Sequence, residues 1–381
     1  MIQTVLFDID GVLLSEERCF DSSALAVWEL LHSPNYLGIH PETFTPTPDE
    51  PTIRKIRSDV FCNDEVLKLL KSQGLNSNWD MVFLTFSYQL IHVLSGLDCE
   101  ALSRAMEILE SPLGDGQLRQ LSLLLPDDIQ LDYGSFAHQL SLVRISKDEI
   151  FEVLHPIWRM KMKDTDKERT ESFRRLWELS REIFQEWYVG DSFIEMSIGK
   201  KARQGGKKGF LQEEIPLAAV EDFNHMFKWM SSQGFRIGIG TGRPAVETFE
   251  PFRVMGLLNW VPSECITTSD EVLEAETLFP NQGALGKPHP YTYLQSYFGK
   301  EKSAGEVLQY KLPLEEGESI LIVGDSVADY YAAQAIGARF AAVLTGLNGR
   351  DARGEFEKLG ADYILNNVLE IVPLLSGIGQ Q

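Results

Sequence analysis

The chain has 381 residues, 44% hydrophobic and 24% charged. That composition excludes a largely disordered chain and predicts two or three domains, or one catalytic domain with a large insertion. With 56 Asp+Glu against 35 Lys+Arg, the formal net charge of −21 argues against partners such as nucleic acid or anionic membrane, while a local basic pocket could still hold a small anion.

No run is long or apolar enough to span a bilayer. The N-terminus, Met1-Ile2-Gln3-Thr4, lacks the basic segment and cleavage site of a secretion signal. Cys19, Cys62, Cys99 and Cys265 form no Cys-x-x-Cys pair. A reducing, cytoplasmic setting is expected, with neither a disulfide framework nor a zinc knuckle.

Taken in chain order, Val5-Leu6-Phe7 is a short apolar run meeting Asp8-Ile9-Asp10-Gly11, which predicts a buried strand ending in a tight turn. Residues 15–212 then read as helical. Ala24, Val27, Trp28 and Leu31 follow helical spacing, as do Phe173, Leu176, Trp177, Ser180, Phe184 and Trp187, closed by Gly190. Pro34, Pro41, Pro46, Pro48 and Pro51 mark a loop. The aromatic residues at helical spacing read as core. The basic, glycine-rich run Gly199–Gly209 reads first as a mobile linker, with contact to a substrate anion as the alternative.

From about residue 213 short strands alternate with helices. Val220, Phe223, Phe227 and Met230 give a helix stopping at Gly234, followed by a strand over Phe235–Gly240. A helix carrying Val246 and Phe249 comes next, then a strand near Cys265–Thr267 and a helix near 290–298. The strand Ser319–Val323, a helix through Ala328–Ile336 and the strand Phe340–Leu344 complete the series. This alternation predicts an α/β fold. Its core would be a doubly wound, parallel, Rossmann-like sheet built from 1–14 and 213–381, with a large α-helical cap, 15–212, inserted after the first strand.

Ligands of such sheets sit beyond the carboxyl ends of the strands. Four segments fall there. Asp8 and Asp10 can divide attack and proton transfer, although Asp-Ile-Asp-Gly is also turn chemistry. Gly240-Thr241-Gly242-Arg243 offers a hydroxyl and free N–H groups before a helix, as an anion cradle or a helix cap. Lys287, between Gly286 and Pro288, offers an ammonium, although a lone lysine is usually a surface residue. Gly324-Asp325-Ser326-Val327-Ala328-Asp329 offers two acids which, with Asp8, make an oxygen set suited to Mg²⁺. Asp329 also suits the first turn of a helix.

In this order the segments Phe7-Asp8-Ile9-Asp10-Gly11-Val12, Gly240-Thr241-Gly242-Arg243, Gly286-Lys287-Pro288 and Gly324-Asp325-Ser326-x-x-Asp329 resemble the haloacid dehalogenase superfamily. The similarity is to its phosphatase branch, near phosphoglycolate-phosphatase-like and β-phosphoglucomutase-like proteins, and covers roughly 1–14 and 213–375. The resemblance implies that Asp8 attacks phosphorus and that Asp10 protonates the leaving oxygen and then activates water. Thr241 and the Gly242 N–H would hold the phosphoryl oxygens, and Lys287 would neutralise charge. Asp8, the Asp10 backbone carbonyl and Asp325 would bind Mg²⁺, with Asp329 as a direct or supporting ligand. The implied activity is Mg²⁺-dependent hydrolysis of a small phosphorylated metabolite through an aspartyl-phosphate. A phosphomutase would share every one of these residues. A dehalogenase needs neither Asp10 nor a metal, and a non-catalytic binding protein would tolerate their loss. Substrate identity and oligomeric state are not readable.

Overall fold

A computed structural model describes residues 1–73, 75, 77–140, 150–151, 154–162 and 170–378. The chain forms two units, one from Met1–Glu16 with Leu211–Gln381 and the other from Glu17–Phe210. Among the described residues no helix is long and apolar enough to cross a membrane.

The first unit is built on a six-stranded parallel sheet. Its strands are β1 (Thr4–Phe7), β2 (Arg236–Gly240), β3 (Ile266–Thr267), β4 (Ile320–Gly324), β5 (Arg339–Val343) and β6 (Tyr363–Leu365), in the spatial order β3-β2-β1-β4-β5-β6. Strand β1 lies between β2 and β4, with Phe7 level with Ile239 on one side and Val323 on the other. Alternate side chains leave opposite faces. Val5, Phe7, Leu321, Val323 and Ala341 join one core, against Phe223, Phe227 and Met230 of the helix Val220–Ser232. Leu6, Ile320, Ile322, Phe340 and Ala342 join the other, against Tyr291, Tyr293 and Leu294 of the helix Tyr291–Phe298 and Ala332 and Ala333 of the helix Val327–Ile336. Burial on both faces is why these strands read as continuous apolar runs rather than alternating ones.

Three strands, β2, β3 and β4, begin one residue later than their sequences suggest, β4 at Ile320 rather than Ser319. Phe235 is excluded from β2 because its N–H closes the preceding helix on Met230 O at 3.1 Å. Cys265 belongs to the 3-10 turn Ser263–Cys265 and leaves β3 only two residues. Strand β5 likewise runs one residue earlier than predicted.

The glycines of β2 let a helix lie directly on the sheet. A methyl carbon at Gly238 would stand 2.5 Å from Ser296 Oγ and 2.8 Å from Leu6 Cδ2, and one at Gly240 would stand 2.6 Å from the Tyr293 ring. The close approach seats Tyr293 under the carboxyl end of the sheet.

In the second unit the helices Glu17–His32, Asn78–Ser95 and Thr170–Val189 pack on one another. Asn78–Ser95 is buried along nearly its whole length, as a central helix with apolar residues all round should be. Its buried Asp80 accepts from Trp177 Nε1 at 2.8 Å. The basic run 199–209 is not the mobile linker its composition suggests. Lys207 is fully buried, 2.7 Å from Glu29 and 2.6 Å from Glu186. Arg203 pairs with Glu182 and, at 2.8 Å, with Asp115. Gly190 and Gly209, both with positive φ, bring the backbones together; a Cβ at Gly190 would meet Lys208 O at 2.4 Å. Opposite charges on three helices, absent from a purely local reading, hold the run in place.

The packing of β2 is tested by two glycine substitutions. Gly238→Ala should destabilise the protein by about 1–3 kcal/mol, as overpacking of a filled core does. Gly354→Ala, in the helix Arg353–Leu359 with nothing within 4 Å, should be neutral or stabilising by up to about 1 kcal/mol. Denaturant midpoints compare the two. Equal effects would mean that the close approach at Gly238 is not a constraint.

Candidate active site

The carboxyl ends of β1 and β4, with the segment leading into Tyr291–Phe298, bring an ammonium between two acids. Asp8 follows β1, and its N–H continues the ladder to Val323 O at 2.9 Å. Asp8 Oδ1 accepts from Ile9 N at 2.8 Å, while Oδ2 lies 2.7 Å from Lys287 Nζ. Lys287 Nζ also donates to Asp329 Oδ1 at 2.9 Å. The same oxygen accepts from Tyr293 OH at 2.7 Å, and Oδ2 accepts from Ser326 Oγ and N at 2.7 and 3.2 Å. Ser326 caps the helix Val327–Ile336, so the cap itself aims Asp329.

Burial pushes the Asp8 carboxyl up to about 7; Lys287 pulls it back, and Asp329 and Asp10 add to the rise. Burial also acts on Asp329, but Lys287, Ser326 and Tyr293 outweigh it and hold that carboxyl below its ordinary range. Burial lowers Lys287, but Asp329 and Asp8 outweigh it and keep the ammonium charged. Neighbouring acids are thereby driven to different behaviour by their surroundings.

Asp325 stands with them. Asp8, Asp325 and Asp329 each present a carboxylate oxygen within 4.8 Å of the others. Two glycines make room for Asp325: a Cβ at Gly11 or Gly346 would fall 2.2 or 1.9 Å from its Oδ2. Thr345 Oγ1 donates to Gly11 O at 2.5 Å, tying that turn to the loop after β5. An all-oxygen set with no sulfur or imidazole suits a hard divalent cation. Asp329 already accepts from Lys287, Tyr293 and Ser326, which makes it a support for the cluster more than a free ligand.

Asp8 and Asp10 do not share one direction, as two residues of a continuing strand would. Strand β1 stops at Phe7, and Gly11, at φ 70°, turns the chain so that the N–H groups of Val12, Leu13 and Leu14 all point to Ile9 O. Asp10 therefore meets a different cation. Arg243 Nη2 donates to Asp10 Oδ1 at 2.6 Å, and its Nε reaches Oδ1 and Oδ2 at 3.0 and 3.1 Å. Arg243 Nη1 donates to Glu214 Oε1 at 2.5 Å.

Thr241 and Gly242 form the turn after β2, beside the end of β1. Thr241 is fully buried; its N–H donates to Thr267 O at 3.0 Å and its Oγ1 accepts from Arg243 N at 3.1 Å. Gly242 is exposed, and a methyl carbon placed on it would meet nothing within 4 Å. The structure thus joins Asp8, Lys287, Asp325 and Asp329 in one cluster, gives Asp10 to Arg243, and places Thr241 and Gly242 on the neighbouring strand end. Sequence reading passed over Tyr293, Ser326, Glu214 and the task of Arg243. Ser326 had a local signal, the capping box Ser326–Asp329, and Arg243 stood next to a recognised motif; Tyr293 and Glu214 had none.

The family model described as HAD-hydrolase-like matches residues 284–371, a span holding Lys287, Asp325 and Asp329. A phosphoglycolate phosphatase of Nitrosococcus oceani is 27% identical over 156 residues, 40% of this chain and 55% of that protein, so the match spans about half the length of this curated relative. The X-ray structure of a Northeast Structural Genomics Consortium target is 37% identical, with a TM-score of 0.84 over 99% of both chains. A hydrolase from Pseudomonas syringae, at 15% identity and 99% coverage of both chains, superposes with a TM-score of only 0.38. Residues 284–371 thus match the HAD-hydrolase-like family model, and 156 residues of the chain are similar to a phosphoglycolate phosphatase.

Proposed function

We propose that this protein is a Mg²⁺-dependent phosphomonoester hydrolase that acts on a small phosphorylated metabolite through an aspartyl-phosphate on Asp8. The observation that carries the reading is the Asp8 carboxylate set 2.7 Å from a buried ammonium, within one cluster with Asp325 and Asp329. An anionic nucleophile approaching an anionic phosphoryl group needs fixed positive charge to offset the repulsion. Lys287 supplies part of it, and its second carboxylate, Asp329, keeps it in place.

Asp8 Oδ bonds to phosphorus as the ester oxygen departs, and that oxygen takes a proton from Asp10. A water oxygen then bonds to phosphorus, its proton passing to Asp10, and the bond from phosphorus to Asp8 breaks. Thr241 and the Gly242 N–H hold phosphoryl oxygens. Asp8, Asp325 and the Asp10 carbonyl would hold Mg²⁺, with Asp329 in support, and the ion supplies further neutralisation of phosphoryl charge. Residues 17–210 interrupt the chain between Asp10 and Thr241, and in this reading the insertion is a cap that selects the substrate.

The two aspartates are separable by experiment. Asp8→Asn should reduce phosphate release from p-nitrophenyl phosphate to background with the circular dichroism unchanged. Asp10→Asn should give a burst of nitrophenolate, then turnover slowed by about 10² to 10⁴, the usual worth of general acid–base catalysis. Rapid-quench mass spectrometry should find one phosphoryl group on the peptide containing Asp8; wild-type turnover in either variant would sink the assignment.

Metal dependence gives a second test. Metal-free protein should be inactive and recover with Mg²⁺, and Asp325→Ala should need a higher Mg²⁺ concentration because a carboxylate ligand is gone. Full activity after exhaustive EDTA treatment would exclude the metal from the reaction.

The cap is tested by deleting residues 15–212. The shortened protein should discriminate less among a panel of phosphorylated metabolites while keeping slow hydrolysis of p-nitrophenyl phosphate. Unchanged preference in a folded deletion variant would remove the cap from substrate selection.

A further inference from the structure

Arg243 joins three parts of the first unit that are far apart in sequence. Its side chain is 3% exposed, as is that of Glu214, while that of Asp10 is 28% exposed. A buried guanidinium needs its N–H groups satisfied. Here Nη1 is taken by Glu214, and Nε with Nη2 forms a fork on Asp10. The planar fork fixes direction as well as distance, which a lysine ammonium cannot do.

Glu214 is itself held by backbone pairing beside the turn that carries Asp10. Ser15 N donates to Ile215 O at 2.8 Å and Leu217 N to Leu13 O at 3.0 Å, around the antiparallel bridge Leu14–Pro216. The segment 213–217 and the segment 10–15 thus run side by side, and Arg243 crosses from the end of β2 to clamp both. In this trio the buried acid anchors the arginine, and the arginine holds the half-open one. Asp10 Oδ1 takes the two shorter contacts, at 2.6 and 3.0 Å, and Oδ2 has one at 3.1 Å, which leaves Oδ2 the oxygen with lone-pair capacity to spare.

We propose that Arg243 and Glu214 are positioning residues for Asp10: Arg243 sets the direction of its carboxylate, and Glu214 sets Arg243. This rests on the phosphatase reading above for its consequence in turnover, but not for the side-chain order it describes. In hydrolysis of the aspartyl-phosphate, Asp10 Oδ2 receives the proton as the water oxygen bonds to phosphorus and the Asp8–phosphorus bond breaks. Misplacing that oxygen by about 1 Å slows the step by up to about 10². Nucleophilic attack by Asp8 on an ester with a good leaving group does not use it.

The test compares Glu214→Gln, which keeps shape and loses charge, with Arg243→Lys, which keeps charge and loses the fork. In pre-steady-state assays with p-nitrophenyl phosphate, the burst rate should stay within about threefold of wild type. Steady-state turnover should fall about 10- to 100-fold, and alkyl phosphates, which need a proton on the leaving oxygen, should lose more than the nitrophenyl ester. Equal loss in both steps, or no loss in either, overturns the proposal. Crystal structures of wild type and Glu214→Gln provide an arm that requires no turnover: the Asp10 carboxylate should leave Arg243 or occupy more than one rotamer, and an unmoved Asp10 overturns the proposal whatever the kinetics. Absence of phosphoryl-Asp8 in the wild-type protein would instead remove the phosphatase reading, and the side-chain arm then decides the positioning claim alone. If Arg243→Lys fails to fold, Glu214→Gln carries both arms.

Discussion

Lys287, held between Asp8 and Asp329, is the interaction on which the rest of the site depends. A parallel sheet with β1 at its centre delivers Asp8, Asp325 and Asp329 to neighbouring strand ends, and acids brought that close repel one another. One buried ammonium, 2.7 Å from Asp8 and 2.9 Å from Asp329, lets two of them coexist out of water. Removing one partner of such a buried arrangement leaves an uncompensated charge, which is costly. The same contacts divide the acids: Asp329 is surrounded by donors, whereas Asp8 is buried with one cation and one backbone N–H beside it. Lys287 does not cancel the whole negative charge of the cluster, and the remainder is what a hard divalent cation would offset.

The architecture serves this arrangement through close packing. Gly238 and Gly240 bring the helix Tyr291–Phe298 onto β2, and its Tyr293 then reaches Asp329 with its hydroxyl. Gly11 and Gly346 leave space for Asp325. Small residues at these places are part of the electrostatics, because each lets a charged or polar group approach to hydrogen-bonding distance. Interiors packed this densely transmit a change at one position to its neighbours.

Charge organises the second unit as well, with a different result. The run 199–209 adds basic residues to a chain with net charge −21, and they are drawn onto the acids Glu182, Glu186, Glu29 and Asp115. Lys207 lies over the Trp187 ring at 5.1 Å while pairing with two carboxylates. Glycine composition alone describes a flexible segment, but the acids that order it come from positions as far away as residue 29.

Sequence alone determined the α/β class, the strands β1, β2 and β4 and the four segments at their carboxyl ends, because those signals are local: short apolar runs, turn residues, and acids or a lysine at the points where runs stop. It set Asp8, Asp10, Lys287, Asp325 and Asp329 apart as charged residues in places where charge is otherwise rare. Only the tertiary structure decided which of them meet. Asp8 and Asp10 are two residues apart yet pair with Lys287 and Arg243, from positions more than 200 residues distant. Tyr293 and Glu214 enter through packing and backbone pairing that leave no local pattern. The physical reason is that periodicity and turn chemistry act over a few residues, whereas a buried charge is satisfied by whichever opposite charge the folded chain places within about 3 Å.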